Sequence, residues 1–207
     1  STNFPLVNHL VTIGLSAPDA DLAAMCIYYL KDANHAMAHY LISLFYSKLI
    51  RSTGATNTAQ AASEFLSVCK AAAAFFTLWG GSLTGFPDDA YRELFKQTTP
   101  NISWKNGLQN QNSAFVKTHF KTVLDAKGVY SVTNIASASI SWCTKAETNL
   151  RYGKRALCRF SLFLASHDKA PDTNPGSEGL MQAGQAGSAP YLNCRAWYSL
   201  DYEVIEH

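Results

Sequence analysis

The sequence predicts a mainly α protein: a helical bundle core with extended N- and C-terminal arms, and a short β element as one option near the C-terminus. Three observations carry this. Apolar residues recur at three- and four-residue spacing over most of residues 18–165. Glycines and prolines fall between those periodic stretches. A stretch from Asp172 to Pro190 is rich in Gly, Pro, Ala and Ser and lacks periodicity. The expected organisation is an N-terminal arm over 1–17, a helical core over 18–165 and a C-terminal extension over 166–207.

The first helix signal is Pro18-Asp19 after Ser16, a proline near the first turn with an acid at the positive end of the helix. The apolar pattern then runs through Leu22, Met25, Cys26, Tyr29 and Leu30 and on through Leu41, Leu44, Phe45 and Leu49, where Gly54 stops it. It describes one long helix, or two with a break near Lys31–Asn34. A second pattern spans about Thr58 to Trp79, and Gly80-Gly81 is expected to end it. Its Ala71–Ala74 run allows a neighbouring helix to approach closely. A short helix begins at Pro87-Asp88 and carries Tyr91, Leu94 and Phe95. Residues 98–107 read as a loop holding Trp104.

From Asn112 to Lys127 the pattern is again helical and is closed by Gly128. Val116, Phe120, Val123 and Leu124 form its apolar side, and Lys117 and Lys121 share the other. Val129 to Ile140 is ambiguous, because β-branched residues favour strand while Ala and Ser permit helix. Thr144 to Ala165 reads as helix, and Tyr191 to Ile205 fits either a short strand or a final helical turn.

Composition narrows the class. Hydrophobic residues make up 47% of the 207 and charged residues 15%, against about 25% charged in an average soluble domain. Such a surface is short of charge, as in proteins covered by copies of themselves or by a partner. The densest apolar stretch, Ala71–Trp79, is shorter than a membrane span, and Ser1-Thr2-Asn3 gives no expectation of a secretory leader. The five cysteines, Cys26, Cys69, Cys143, Cys158 and Cys194, are widely spaced and form no zinc-like cluster, so reduced and mostly buried thiols are expected.

Net charge is +2 overall, but it is unevenly placed. Residues 1–104 hold 6 Lys/Arg and 7 Asp/Glu, residues 105–159 hold 9 and 2, and residues 160–207 hold 2 and 6. A central basic block is the footprint of a polyanion site, or else a solvated Lys-rich face. Its sharpest part is Arg151, Arg155 and Arg159. On a continuous helix over Glu147–Leu164, each four-residue step drifts about 40°, so the three guanidiniums make one stripe. Lys154 edges the stripe, and Ala146, Leu150, Gly153, Leu157, Phe160 and Leu164 oppose it. Guanidinium forks suit phosphate. Trp104, Trp142 and Tyr152 are placed to stack on unpaired bases or to pack in the core. The rival reading pairs these arginines with carboxylates of the acidic C-terminal part.

The segment Lys154-Arg155-Ala156-Leu157-Cys158-Arg159-Phe160 resembles the Leu-Arg-Gln-Phe-Cys-Arg-Tyr motif in coat proteins of flexible filamentous plant viruses. Ala196-Trp197-Tyr198-Ser199-Leu200-Asp201-Tyr202 resembles the aromatic-flanked Asp segment of the same family. Asn149-Leu150-Arg151-Tyr152-Gly153 and the Gly/Ala/Pro loop before Tyr191 are closer to the closterovirus branch than to the potexviruses. The resemblance covers about a quarter of the chain. It implies a helical-bundle coat subunit that polymerises with identical subunits around single-stranded RNA, in the virion and the host cytoplasm. It further implies that Arg155 contacts phosphate and that Asp201 lies near to orient an arginine.

Other constellations carry less. Asp32, His35 and His39 can be aligned on one helix face, but with no H-E-x-x-H acid and no further ligand, helix-packing histidines are the simpler reading. Gly80-Gly81-Ser82-Leu83-Thr84-Gly85 lacks the lysine of a phosphate loop and reads as a helix stop and turn. Asp88-Asp89 is a partner for a helix dipole. No catalytic order is legible, and no cofactor, metal or membrane is expected. The reading is therefore a non-enzymatic coat or nucleocapsid subunit that holds single-stranded RNA without sequence specificity. Arg151, Lys154, Arg155, Arg159, Lys117 and Lys121 are its candidate contacts, and the two arms dock on neighbouring subunits. The alternatives are a helical interaction module whose Arg ridge meets an acidic protein surface, and a small enzyme for a phosphorylated substrate.

Overall fold

A computed structural model of the chain describes residues 5–97, 112–131, 133–150 and 156–161. Its elements are α1 (Pro5–Thr12), α2 (Ala17–Asp32), α3 (Ala36–Ser52), α4 (Thr58–Ser82), α5 (Asp88–Gln97), α6 (Ser113–Ala126) and α7 (Ile135–Asn149). Residues 156–161 are also helical, and no strand occurs among the described residues. The mainly α bundle is what the spacing of apolar residues predicts. The option of a β element over 191–205, the loop over 98–107 and the C-terminal extension lie outside the described residues.

The start of the chain differs from the expected arm. Over Pro5–Thr12 it is helical and packs on α2, with Val7, Leu10, Ile13 and Leu15 buried. Those four apolar side chains decide the matter, since an extended arm would leave them in water. α2 then begins as its cap signals require. The Ser16 hydroxyl oxygen accepts the Asp19 amide at 3.3 Å and donates to the Asp19 carboxylate at 2.6 Å. Of the two options for residues 18–54, one long helix or two with a break near Lys31–Asn34, the second is the one that forms. Asn34 takes a left-handed φ of 55°, its amide bonds the Lys31 carbonyl, and the His35 amide bonds the Leu30 carbonyl. Asn tolerates that conformation better than most residues, so two helices form in place of one.

α4 is the centre of the bundle and contacts α2, α3, α6 and α7. Its buried residues, among them Ala61, Phe65, Val68, Ala72, Phe75 and Phe76, are not confined to one stripe, as expected of a helix covered on several sides. It is long and apolar enough to cross a membrane by length and composition, which the shorter Ala71–Trp79 count did not anticipate. In the fold those apolar residues face other helices. Lys48 of α3 reaches the largely buried Glu64 of α4 at 2.6 Å.

Gly80 and Gly81 do not end α4, contrary to expectation. The helix runs through them to Ser82, and both are buried. A Cβ on Gly80 would lie 2.8 Å from Leu157 Cδ2, and one on Gly81 would lie 2.6 Å from Trp142 Cζ2. The pair is there for close approach: Trp142 of α7 lies flush on α4 and donates its indole N–H to the Leu78 carbonyl at 3.0 Å. Asn149 donates its side-chain amide to the Gly81 carbonyl at 3.3 Å.

Gly81→Ala should therefore destabilise the fold by about 1–3 kcal/mol, because the rigid indole must shift. Gly80→Ala should stay within about 1 kcal/mol of the parent, since a Leu157 methyl can turn aside and alanine favours the helix. Urea unfolding of the two variants checks the order, and equal costs would contradict it.

Candidate nucleic-acid interface

Among the described residues, the basic block of 105–159 is carried by three pieces of structure. α6 starts where Asn112 accepts the Phe115 amide at 3.1 Å. It closes as the Gly128 amide bonds the Asp125 carbonyl and the Val129 amide bonds that of Leu124, with Gly128 at φ 66°. Val116, Phe120 and Leu124 are buried. Phe120 stacks on Phe75 of α4 with ring centres 4.2 Å apart and meets Tyr91 of α5 edge-on. His119, also buried, donates from Nε2 to the Ala90 carbonyl at 2.8 Å. With its inner side fixed by these contacts, α6 presents Lys117 and Lys121 to solvent one turn apart. Lys121 Nζ lies 6.0 Å from the centre of the Tyr130 ring, at the limit of a cation–π contact.

The second piece is α7. Asn134 caps it by accepting the Ser137 amide, and within the ambiguous stretch the residues from Ile135 onward are helical. The continuous helix expected over 147–164 is not formed. α7 ends at Asn149, and Leu150 takes ψ 86°, outside the helical region. Asn149 spends its side chain on the Gly81 carbonyl of another helix, and asparagine is a weak helix former. Arg151 therefore follows the end of α7, and of the three arginines expected to form one stripe only Arg159 is among the described residues. Arg151, Lys154 and Arg155 lie outside the described residues, as do Asp201, Trp104, Tyr152 and Cys194.

The third piece is segment 156–161, which carries Arg159. Its inner residues Leu157 and Phe160 are buried as the apolar pattern requires, and so is Ala146 of α7. Phe160 stacks flat on Tyr29 of α2, with centres 3.9 Å apart and planes 4° from parallel. Tyr29 is held in turn by Thr77 of α4. The Thr77 hydroxyl donates to the Ala73 carbonyl at 2.8 Å, so the phenol is the donor in the 3.0 Å bond to Thr77. Burial pushes the Tyr29 phenol up, which keeps that donor protonated. Arg159 is half-buried beside this stack. α6, which carries Lys117 and Lys121, is thus seated on Phe75 through Phe120, and the Arg159 segment on Gly80 through Leu157, with α4 as the support the two share.

Among the described residues, ion pairs join Lys48 to Glu64 and Arg92 to Asp89, and the Asp88 carboxylate lies 3.9 Å from the His35 ring, all between residues 35 and 92. None joins Lys117 or Lys121 to a carboxylate, although Asp125 lies four residues beyond Lys121. The face imagined for Asp32, His35 and His39 is divided by the α2–α3 break, and no metal-competent group of His, Cys, Asp and Glu is found among the described residues. Cys26 and Cys69 are buried free thiols, Cys158 is half-buried and Cys143 exposed. Burial raises the Cys69 thiol, which makes it a poor nucleophile. Sequence reasoning missed the contact role of Gly80, Gly81 and Asn149. Two glycines inside an apolar helical run were the available signal. No family model, curated protein or solved structure matches the chain.

Phe160→Ala should cost about 3–5 kcal/mol by removing the stack on Tyr29 and leaving a cavity. Chemical denaturation measures it, and a loss below about 1 kcal/mol would mean that segment 156–161 contributes little to the core.

Proposed function

We propose that this chain is a structural subunit that coats single-stranded RNA without sequence specificity and assembles with identical copies. The observation that carries the reading is the α6 surface: Lys117 and Lys121 stand exposed, one turn apart, joined to no carboxylate among the described residues. Like charges at that spacing repel by a few tenths of a kcal/mol, and a phosphate chain relieves the repulsion. The excess of 9 basic over 2 acidic residues in 105–159 extends the same sign beyond α6. The resemblance of residues 154–160 and 196–202 to filamentous coat proteins supports RNA as the polyanion. On that reading Arg155, Arg151, Lys154 and Arg159 add phosphate contacts, and Asp201 orients an arginine.

Binding of a mixed-sequence single-stranded RNA across a salt series tests the proposal. Log K should fall linearly with log salt, by about 0.7 per phosphate contact. The double variant Lys117→Ala/Lys121→Ala should reduce that slope by about 1.4, and Arg155→Ala by about 0.7, with every RNA sequence weakened alike. A flat salt response in the parent chain, with binding to an acidic protein surface instead, would replace RNA with the interaction-module reading.

A further inference from the structure

His35 is the most deeply buried histidine among the described residues. It precedes α3 and makes no side-chain cap bond. Its ring, 1% exposed, meets Phe76 of α4 at 4.8 Å and Phe86 at 5.8 Å, both 26° from parallel and themselves 6.1 Å apart, with the Tyr91 ring edge-on at 5.0 Å. Neither ring nitrogen has a hydrogen-bond partner, and neither does the buried Tyr91 hydroxyl. Three orphaned polar atoms in one aromatic cluster are unusual, because buried polar groups are nearly always satisfied.

The titratable groups around His35 are Asp88 and Tyr91 on α5 and His39 on α3, while α4 and the 83–87 turn contribute phenyl rings. Asp88 comes to 3.9 Å from Nδ1, but its side chain is 42% exposed, so water screens it. Desolvation of the ring prevails over the Asp88 carboxylate, with His39 opposing the charge as well, and His35 is lowered to about 4.

We propose that Phe86 and α5 form a lid over His35 that acid opens. Phe76 and Tyr91 are buried, whereas Phe86 is 53% exposed, so water can most readily reach the imidazole from the Phe86 side. Phe86 follows Gly85, which sits at φ +75°, and the turn is tied back to α4 by the Trp79 indole donating to the Gly85 carbonyl at 3.2 Å, an exposed bond. α5 begins two residues after Phe86 and rests on α3 and α6, so displacement of Phe86 pulls on its first turn. The sign follows from which state binds the proton. Above pH 6.5 the ring is neutral whether the lid is closed or open, and the closed state keeps its full advantage. Between 6.5 and 4 only the open state binds a proton, so closure weakens as pH falls; below 4 both states are charged and the loss is complete. This device does not depend on the RNA reading.

Hydrogen exchange of the full chain at pH 7.0 and pH 4.5, corrected for intrinsic rates, tests it. Protection of the α5 amides should fall by up to about fiftyfold while those of Phe65–Thr77 in α4 keep theirs, and His35→Phe should leave α5 protected at both pH values. In Phe86→Ala, NMR titration should find His35 moved from about 4 toward the ordinary value of about 6.5. Simultaneous loss of protection in α4 and α5, acid opening that persists in His35→Phe, or an unmoved His35 in Phe86→Ala would each overturn the proposal. If His35→Phe does not fold, the Phe86→Ala titration decides alone.

Discussion

The bundle depends on how closely its other helices can approach α4. A helix that must receive neighbours on several sides cannot carry large side chains at every contact, and α4 alternates the two sizes. Phe65, Phe75 and Phe76 fill the gaps between helices, while Ala61, Ala62, Ala72, Ala73, Gly80 and Gly81 are buried where backbones come near. Interaxial distances follow the side chains at the contact. At Gly80 and Gly81 the limit is reached, since even a methyl group would overlap Leu157 or Trp142. α7 and segment 156–161 both meet α4 at that contact, through Trp142 and Leu157.

Polar side chains then fix the direction of each docked piece. The Trp142 indole, the Asn149 amide and the His119 imidazole each donate to a backbone carbonyl of a neighbouring helix, and the Tyr29 phenol donates to Thr77. Such a bond contributes only about 0.5–1.5 kcal/mol net. Misplacement costs more, because a buried donor without an acceptor pays its full desolvation. Apolar packing sets how near the helices lie, and these donors set their rotation and register. The cluster of His35 and Tyr91 departs from that rule, with three buried polar atoms unpartnered, and that departure is where acid sensitivity is to be sought.

The same division of faces shapes the cationic surface. On α6 the residues that bind the bundle are Val116, His119, Phe120 and Leu124, and the lysines occupy the remaining arc. A lysine stem there has no core to join, so its charge stays in water, where a polyanion can reach it. Arg159 is different, because its segment is pressed onto α2 and α4 through Phe160 and Leu157, leaving it half-buried. The two parts of the basic block thus meet solvent in different ways although both rest on α4.

The sequence by itself determined the helical class, the helix starts after Ser16 and near Asn112 and the buried side of α6, and it left a break near Lys31–Asn34 as one of two options, since these follow from local preference and a 3.6-residue period. It also determined where cationic residues concentrate. Only the tertiary structure decided that α1 joins the core, that α4 continues through Gly80-Gly81, and that α7 stops at Asn149 and so breaks the helix expected over 147–164. The physical reason is common to all three. A glycine pair costs a helix about 1 kcal/mol per residue, a short apolar N-terminal stretch has no stable state alone, and an asparagine is nearly indifferent to continuing a helix. Such weak local preferences are settled by contacts with residues tens of positions away: Trp142 and Leu157 on the glycines, α2 on α1, and the Gly81 carbonyl on Asn149. No local window of sequence contains those partners.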